Sequence, residues 1–291
     1  MNIRSCFSFL LLAVLAVIGF ACAPSARAAD STDGCSGFIA SLPATISTQG
    51  IWCLNQDLAT TITSGNAIAI NTNNVTIDCN NYRLDGTGAG TGTTTIGIYA
   101  GSRTKVTVRR CAISGFYVGV KLTGSGHVVD GNSFVGNTEI GLVIDGAVAK
   151  SDSLVNDNRV LNTGGTTVVA SVTGIYAHQG VDLIGNVVSG LAPRSSSNGN
   201  AYGIYTTGTT HGATLRGNQV ENASKDGSGH AYGIYNDTST HVILRGNNVS
   251  SSGDVGIYCS NSSSPARDNV IHDFTTAISN CGDAGGNFHT P

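Results

Sequence analysis

The chain has 291 residues, a net charge of −3, 39 Gly and only 11% charged residues. Ordinary domains carry about 25% charge and Gly and Asn are poor helix formers, so a helical bundle, a coiled coil and a basic nucleic-acid binder are excluded. Disorder is excluded as well, because 40% of the residues are hydrophobic and they recur in register.

In chain order, Arg4, the apolar run Phe7 to Ala21 and the triplet Ala26-Arg27-Ala28 have the form of a secretory signal. The run is shorter than the roughly 20 residues a spanning helix needs. Residues 1–28 are therefore read as a signal peptide, and the mature chain as free of a membrane span. Cys22 lacks the preceding Leu-like residue of a lipid-attachment site. Cleavage removes Arg4 and Arg27 and moves the net charge from −3 to −5. Cys35, Cys53, Cys79, Cys111, Cys259 and Cys281 remain, and an even number in an exported chain favours disulfides. No Cys-x-x-Cys pair favours zinc. Proximity and the repeat favour Cys35–Cys53, Cys79–Cys111 and Cys259–Cys281, although the middle two do not hold equivalent places in the repeat. Residues 29–66 are expected to cap the domain that follows, 67–291, because a repeat array must cover its open end.

From there one unit recurs. Gly followed by an aliphatic residue, often then Tyr, appears at Gly97-Ile98-Tyr99, Gly119-Val120, Gly141-Leu142, Gly174-Ile175-Tyr176, Gly203-Ile204-Tyr205, Gly233-Ile234-Tyr235 and Gly256-Ile257-Tyr258. The steps are 22, 22, 33, 29, 30 and 23 residues. A short aliphatic strand ending in Asn follows, at Asn80, Asn132, Asn158, Asn186, Asn218, Asn247 and Asn269, with Cys111 in that place once. Two residues on comes another apolar residue: Tyr82, Ile113, Phe134, Val160, Val188, Val220, Val249 or Ile271. Each unit thus holds three short strands, and a stack of such units is a parallel β solenoid of about eight rungs, about 4.8 Å apart. The Asn is expected to take the left-handed backbone at a bend and to bond its counterpart one rung up. Ile98, Val120, Leu142, Ile175, Ile204, Ile234 and Ile257 are expected to point inward and the residues on either side outward.

The opening STQGIWCLNQDL and NAIAINTNNVTIDCNNYRLDG, with the repeat over residues 45 to 282, resembles the right-handed parallel β-helix proteins of the pectin-lyase-like superfamily. The resemblance implies an all-β, single-stranded, right-handed parallel β-helix, the usual hand of parallel crossovers. It does not imply one activity, since that superfamily includes lyases, hydrolases, epimerases and adhesins. An alginate-epimerase-like Tyr-Gly-x-Asp-Pro-His is matched only in its first two residues, at Tyr232-Gly233. The Gly-His-Gly and Arg-Ile-Lys motifs of polygalacturonases and the calcium-binding carboxylates of pectate lyases are not recognisable.

Function is sought where the unit is longest. Insertions near 162–172, 190–201 and 220–231 stack on one edge, and inserted loops on one face of a repeat array often form its binding side. Beside them, the outward row reads Tyr99, Lys121, Val143, Tyr176, Tyr205, Tyr235, Tyr258, and the row two residues on reads Gly101, Thr123, Asp145, His178, Thr207, Asp237, Ser260. Flat rings flanked by polar groups suit sugar rings, though stacked Tyr also stabilises a strand ladder. A further row, Asp78, Arg109, Asp130, Asn156, Ile184, Arg216, Arg245, Arg267, puts like charges on its last three rungs, which an acidic polysaccharide would screen. Two readings follow. In the first, an exported lyase or epimerase uses His178 as base, Tyr205 or Tyr235 as acid and Asp237 to orient, with Tyr176, Tyr258, Arg194, Lys225 and His230 binding substrate. In the second, the same face is a non-catalytic scaffold for a polysaccharide or cell-surface glycan. A secreted or periplasmic monomer is expected, with no cofactor, no metal site and no nucleic acid.

Overall fold

The computed structural model describes residues 34–146, 151–208 and 212–290. The expected signal peptide lies outside the described residues. The described chain is strands joined by turns and loops, with one short 3-10 helix at Thr87–Ala89, and is arranged as three parallel sheets of ten, eleven and ten strands. Each turn of the coil adds one strand to each sheet. In one rung, Ile96–Thr104 lies in what we term the front sheet, Val106–Arg109 in the side sheet and Ala112–Ser114 in the rear sheet. Every strand pairs in parallel with its counterpart one turn on, for example Tyr176 with Tyr205 and Tyr205 with Tyr235. No helix among the described residues is long and apolar enough to cross a membrane.

The coil has ten rungs rather than the eight that the repeat marks indicate. The difference lies at the ends. Ala44–Ile46, Gly50–Cys53 and Leu58–Ala59, within the expected cap, already join the three sheets, and Thr276–Ser279, Gly282–Asp283 and Phe288–Thr290 close the last turn.

The interior is one continuous column of aliphatic side chains. Ile98, Val120, Leu142, Ile175, Ile204, Ile234 and Ile257 are all fully buried, as alternation requires. The Gly before each of them is not outward, however. A Cβ on Gly203 would meet Val220 Cγ1 at 2.2 Å and the Gly233 carbonyl at 2.4 Å, and Gly174 and Gly233 are confined in the same way. Two consecutive residues therefore face inward at a kink that only Gly can occupy, and the residue before the Gly turns outward.

The bend between the side and rear sheets is built by two residues. The left-handed conformation falls on the residue before the Asn, at Gly131, Asp157, Gly185, Gly217, Gly246 and Asp268, and not on the Asn itself. That is why Gly so often precedes it. The Asn is free to point inward, where its amide donates to the next one: Asn132 to Asn158 at 2.9 Å, then Asn158 to Asn186, Asn186 to Asn218, Asn218 to Asn247 and Asn247 to Asn269 at 3.0–3.1 Å. Each side-chain oxygen also accepts the backbone N–H of the preceding ladder residue, and each amide donates to a carbonyl one rung below. These buried amides are thereby satisfied.

Asn80 stands outside the ladder. Its turn is longer, with Asn80 and Asn81 both left-handed, so Leu84 rather than Tyr82 pairs with Ile113. The same shift brings Cys79 beside Cys111 in neighbouring rungs, and they are bonded with Cα atoms 4.7 Å apart. Cys35–Cys53 and Cys259–Cys281 are bonded as well.

Candidate functional site

The front sheet presents the tyrosines. Register places Tyr99, Lys121, Val143, Tyr176, Tyr205, Tyr235 and Tyr258 in one row. Tyr176 meets Tyr205 edge to face at 5.4 Å, Tyr205 meets Tyr235 at 5.1 Å, and Tyr235 stacks on Tyr258 at 4.7 Å. A second row, missed by alternation, lies beside it. The kink at Gly203 and Gly233 turns Tyr202 and Tyr232 outward, and their rings stack at 5.5 Å with planes 3° apart. Tyr202 also stacks on Tyr205 at 5.1 Å, and Tyr232 meets Tyr235 at 4.7 Å. The result is a patch formed by Tyr176, Tyr202, Tyr205, Tyr232, Tyr235 and Tyr258 over four rungs, each ring partly exposed. Tyr99 is separated from it by Lys121 and Val143 and lies over Gly101 instead.

Polar groups border the patch on both sides. On the far side, the Asp145, His178, Thr207, Asp237 row is in register. His178 Nδ1 lies 2.7 Å from Asp145 Oδ1, so the carboxylate that orients His178 is Asp145 on the adjacent rung, not Asp237 two rungs away. Asp237 instead accepts the Tyr205 hydroxyl at 3.0 Å. Burial, and then this hydrogen bond to a carboxylate, hold the Tyr205 phenol well above its ordinary range. Burial, with Asp237 and the neighbouring phenols, pushes Tyr235 up to about 12. Both phenols are thus held neutral over the ordinary pH range and can donate hydrogen bonds.

On the near side run the inserted loops. They bond to one another as the rungs do: Asp226 accepts the Asn198 N–H at 2.9 Å, Asn198 accepts Ser228 N–H at 3.0 Å, and Asn200 accepts His230 N–H at 2.7 Å while donating to the Tyr202 hydroxyl at 2.9 Å. A longer tie joins loops three rungs apart, Thr167 N–H donating to the Thr91 carbonyl at 3.1 Å. Lys225 and His230 converge on Asp254, at 2.8 and 3.8 Å. Burial opposes ionisation of Asp254, but its bonds to Lys225 and to the Ala231 N–H prevail and lower its pKa. Arg194 is exposed and lines a shallow hollow of about 510 Å³ with Asn162, Thr163, Gly190 and Pro193, none of them a patch residue. In the side sheet, Arg216, Arg245 and Arg267 are in register as expected. Asp268 lies 3.5 Å from Arg245 and 3.1 Å from Arg267, so part of their repulsion is screened from within the chain.

The predicted residues thus fall into three groups. Tyr176, Tyr205, Tyr235, Tyr258 and Asp237 share one patch; His178 borders it with a different partner; Lys225, His230 and Arg194 lie on the loop side, the first two engaged by Asp254. Among the described residues no three His, Cys, Asp or Glu side chains are grouped to hold a metal ion.

A family model described as a right handed beta helix region matches residues 49–220. A second, described as a periplasmic copper-binding protein, matches residues 191–288. Among solved structures, the Dettilon tailspike protein is similar with a TM-score of 0.57 and 14% identity over 81% of this chain and 47% of that one. The chain therefore spans about half the length of that tailspike. The A-module of a mannuronan C-5 epimerase from Azotobacter vinelandii aligns at 13% identity over 83% of this chain and 81% of that one, with a TM-score of 0.39. No curated protein matches the chain.

Proposed function

The chain belongs to the right-handed β-helix family, and we propose that within it this is an exported protein whose tyrosine patch binds a polysaccharide. Export is supported by three disulfides, which persist in oxidising compartments. The partial match to a periplasmic family agrees with it. No copper role is proposed, because no three described His, Cys, Asp or Glu side chains are grouped and every described Cys is bonded to another.

One observation carries the binding reading: the patch of contiguous, partly exposed rings over Tyr176, Tyr202, Tyr205, Tyr232, Tyr235 and Tyr258. Its rungs repeat at about 4.8 Å, close to the length of a sugar unit, so a repeating chain running along the coil meets a repeating surface. Sugar C–H faces pack on aromatic rings, and hydroxyls would find Thr207, Asp237 and Asn200 at the borders. Tyr205 lies inside the patch, touching Tyr176, Tyr202 and Tyr235, and its hydroxyl is bonded to Asp237. Its truncation to Ala is expected to weaken binding by about 1–2 kcal/mol, as for an aromatic anchor. Tyr99→Ala is the control. The assay is calorimetry on both folded variants with the glycan that an array selects. If both variants bind like the parent, the patch is only a strand-stabilising stack.

A second reading, proton transfer at a sugar carbon, draws on the His178–Asp145 pair, since a base oriented by a carboxylate is a common catalytic arrangement. Tyr205 and Tyr235 are held too far above neutrality to be strong acids. The reading is checked by incubating the protein with polyuronates and following unsaturated-product absorbance and C-5 inversion; no turnover with any of them dismisses it.

A further inference from the structure

The charges around the patch decide what kind of sugar it can take. Every basic side chain facing it from the described elements is engaged or displaced. His178 is bonded to Asp145 at 2.7 Å, and Lys225 to Asp254 at 2.8 Å. His230 lies 3.8 Å from that same carboxylate. Lys121, two rungs below Tyr176, is opposed by the charge of Glu139, and Arg194 lies on another hollow. The carboxylates do not balance in the same way. Asp254 has the Lys225 ammonium, Asp145 has the His178 ring, which donates to it or, when protonated, pairs with it, and Asp226 accepts the backbone N–H groups of Ser197 and Asn198. Among the described residues Asp237's side chain has only a neutral partner, the Tyr205 hydroxyl, and it stands at the border of the ring patch.

Ring faces are themselves electronegative and attract cations. A uronate laid on this face would place its carboxylate against π faces and Asp237, with no free cation among the described residues to receive it. A protonated amine would find both the ring faces and an uncompensated carboxylate, and would form a charge-assisted hydrogen bond there. We infer that the ligand of the tyrosine patch is an amino-sugar polymer, bound through a protonated amine at Asp237, rather than an acidic polysaccharide. This rests on the glycan-binding reading above and narrows it to one substrate class.

The test titrates the full disulfide-bonded chain with three oligosaccharides of equal length: a β-1,4-linked glucosamine oligomer, its fully N-acetylated counterpart and a mannuronate oligomer. The pH is held above the carboxylate range and below that of the sugar amine. The amine oligomer is expected to bind about tenfold tighter than the acetylated one, the worth of one charge-assisted contact, with the preference shrinking as salt is added. Asp237→Asn keeps an acceptor for Tyr205 and is expected to abolish the preference, so that on this variant the amine and acetylated oligomers bind alike. The salt series on the parent chain reads the same interaction without any variant. If the uronate or the acetylated oligomer binds as tightly as the amine, or the amine does not bind, the inference is overturned. In those cases the glycan reading still stands if Tyr205→Ala weakens binding of any glycan, and it falls if no glycan binding depends on Tyr205.

Discussion

Replacing Asn186 by Leu tests the amide ladder at its centre. Asn186 is fully buried. Its amide donates to the Val155 carbonyl and to Asn218 Oδ1, both at 3.0 Å. Its oxygen accepts the Asn158 backbone N–H at 3.0 Å and the Asn158 amide at 3.1 Å. The substitution removes all four. The Asn158 amide keeps other acceptors, at Val129 and Asn156, but the Asn158 backbone N–H is left buried without a partner. One orphaned donor costs about 1–3 kcal/mol and each further lost bond about 1 kcal/mol, so a destabilisation on the order of 4 kcal/mol is expected. For a domain of this size that lowers Tm by on the order of 10 °C. The comparison is Asn248→Leu, on an exposed strand position of the next rung but one, where a surface change is worth within about 0.5 kcal/mol. Thermal melts of both variants by circular dichroism decide it. Hydrogen exchange should add a loss of protection centred on the rungs of Asn158 and Asn186. Melting points within about 2 °C of each other would refute the ladder as a stabilising element.

Three other outcomes follow from the same geometry. Gly203→Ala should lower the urea midpoint more than Gly217→Ala. The first forces a methyl into Val220 and the Gly233 carbonyl; the second meets nothing within 4 Å and bears only the left-handed backbone cost, about 1–2 kcal/mol. Asp78 is buried, which alone would raise its pKa, but hydrogen bonding to Arg110, with the charges of Arg109 and Arg110, lowers it on balance. A carboxylate depressed in the folded state stabilises the fold above its unfolded pKa of about 3.9, and that stability is lost as pH falls through the lower folded value. Asp78→Asn should therefore flatten the acid limb of a stability–pH curve, and an unchanged limb would show that the ion pairs contribute nothing. Reduction should release the terminal rungs first, since Cys35–Cys53 and Cys259–Cys281 lie in the first and last turns and a solenoid unravels from its ends. Uniform loss of exchange protection along the coil on adding reductant would contradict this.

Much of the fold was legible because a repeat states each structural requirement many times. The inward Ile and Val positions, the Asn ladder and the order of the Tyr row all follow from counting residues between Gly marks. The rest depended on local departures from two-residue alternation. Tyr202 and Tyr232 were missed because alternation places them inward; the kink at Gly203 and Gly233 reverses that. The signal was present in the repeated Ala-Tyr-Gly-Ile-Tyr of 201–205 and 231–235. Asn80 was assigned to the ladder because its turn carries extra residues that spacing from a single strand does not reveal. Asp145 was passed over as the partner of His178 although the outward row set it on the neighbouring rung, closer than Asp237. The occupancy of Lys225 by Asp254 was not legible, because Lys225 lies within an inserted loop whose course the repeat does not specify.

The confined Gly column and the amide ladder have a consequence for how such a chain can change length. Each rung presents on its lower side what the upper side of the preceding rung accepts: a Gly carbonyl against the preceding Gly, and an Asn oxygen to the N–H below it. Duplication of one whole turn would therefore insert without disturbing either neighbour, whereas an insertion of part of a turn must bulge out at a corner, as the segments before Val172, Ala201 and Ala231 do. The gene can lengthen the coil in steps of a rung and ornament it between steps. A longer version of the same face would offer more consecutive contacts to a polymer with no new design at the level of the individual turn.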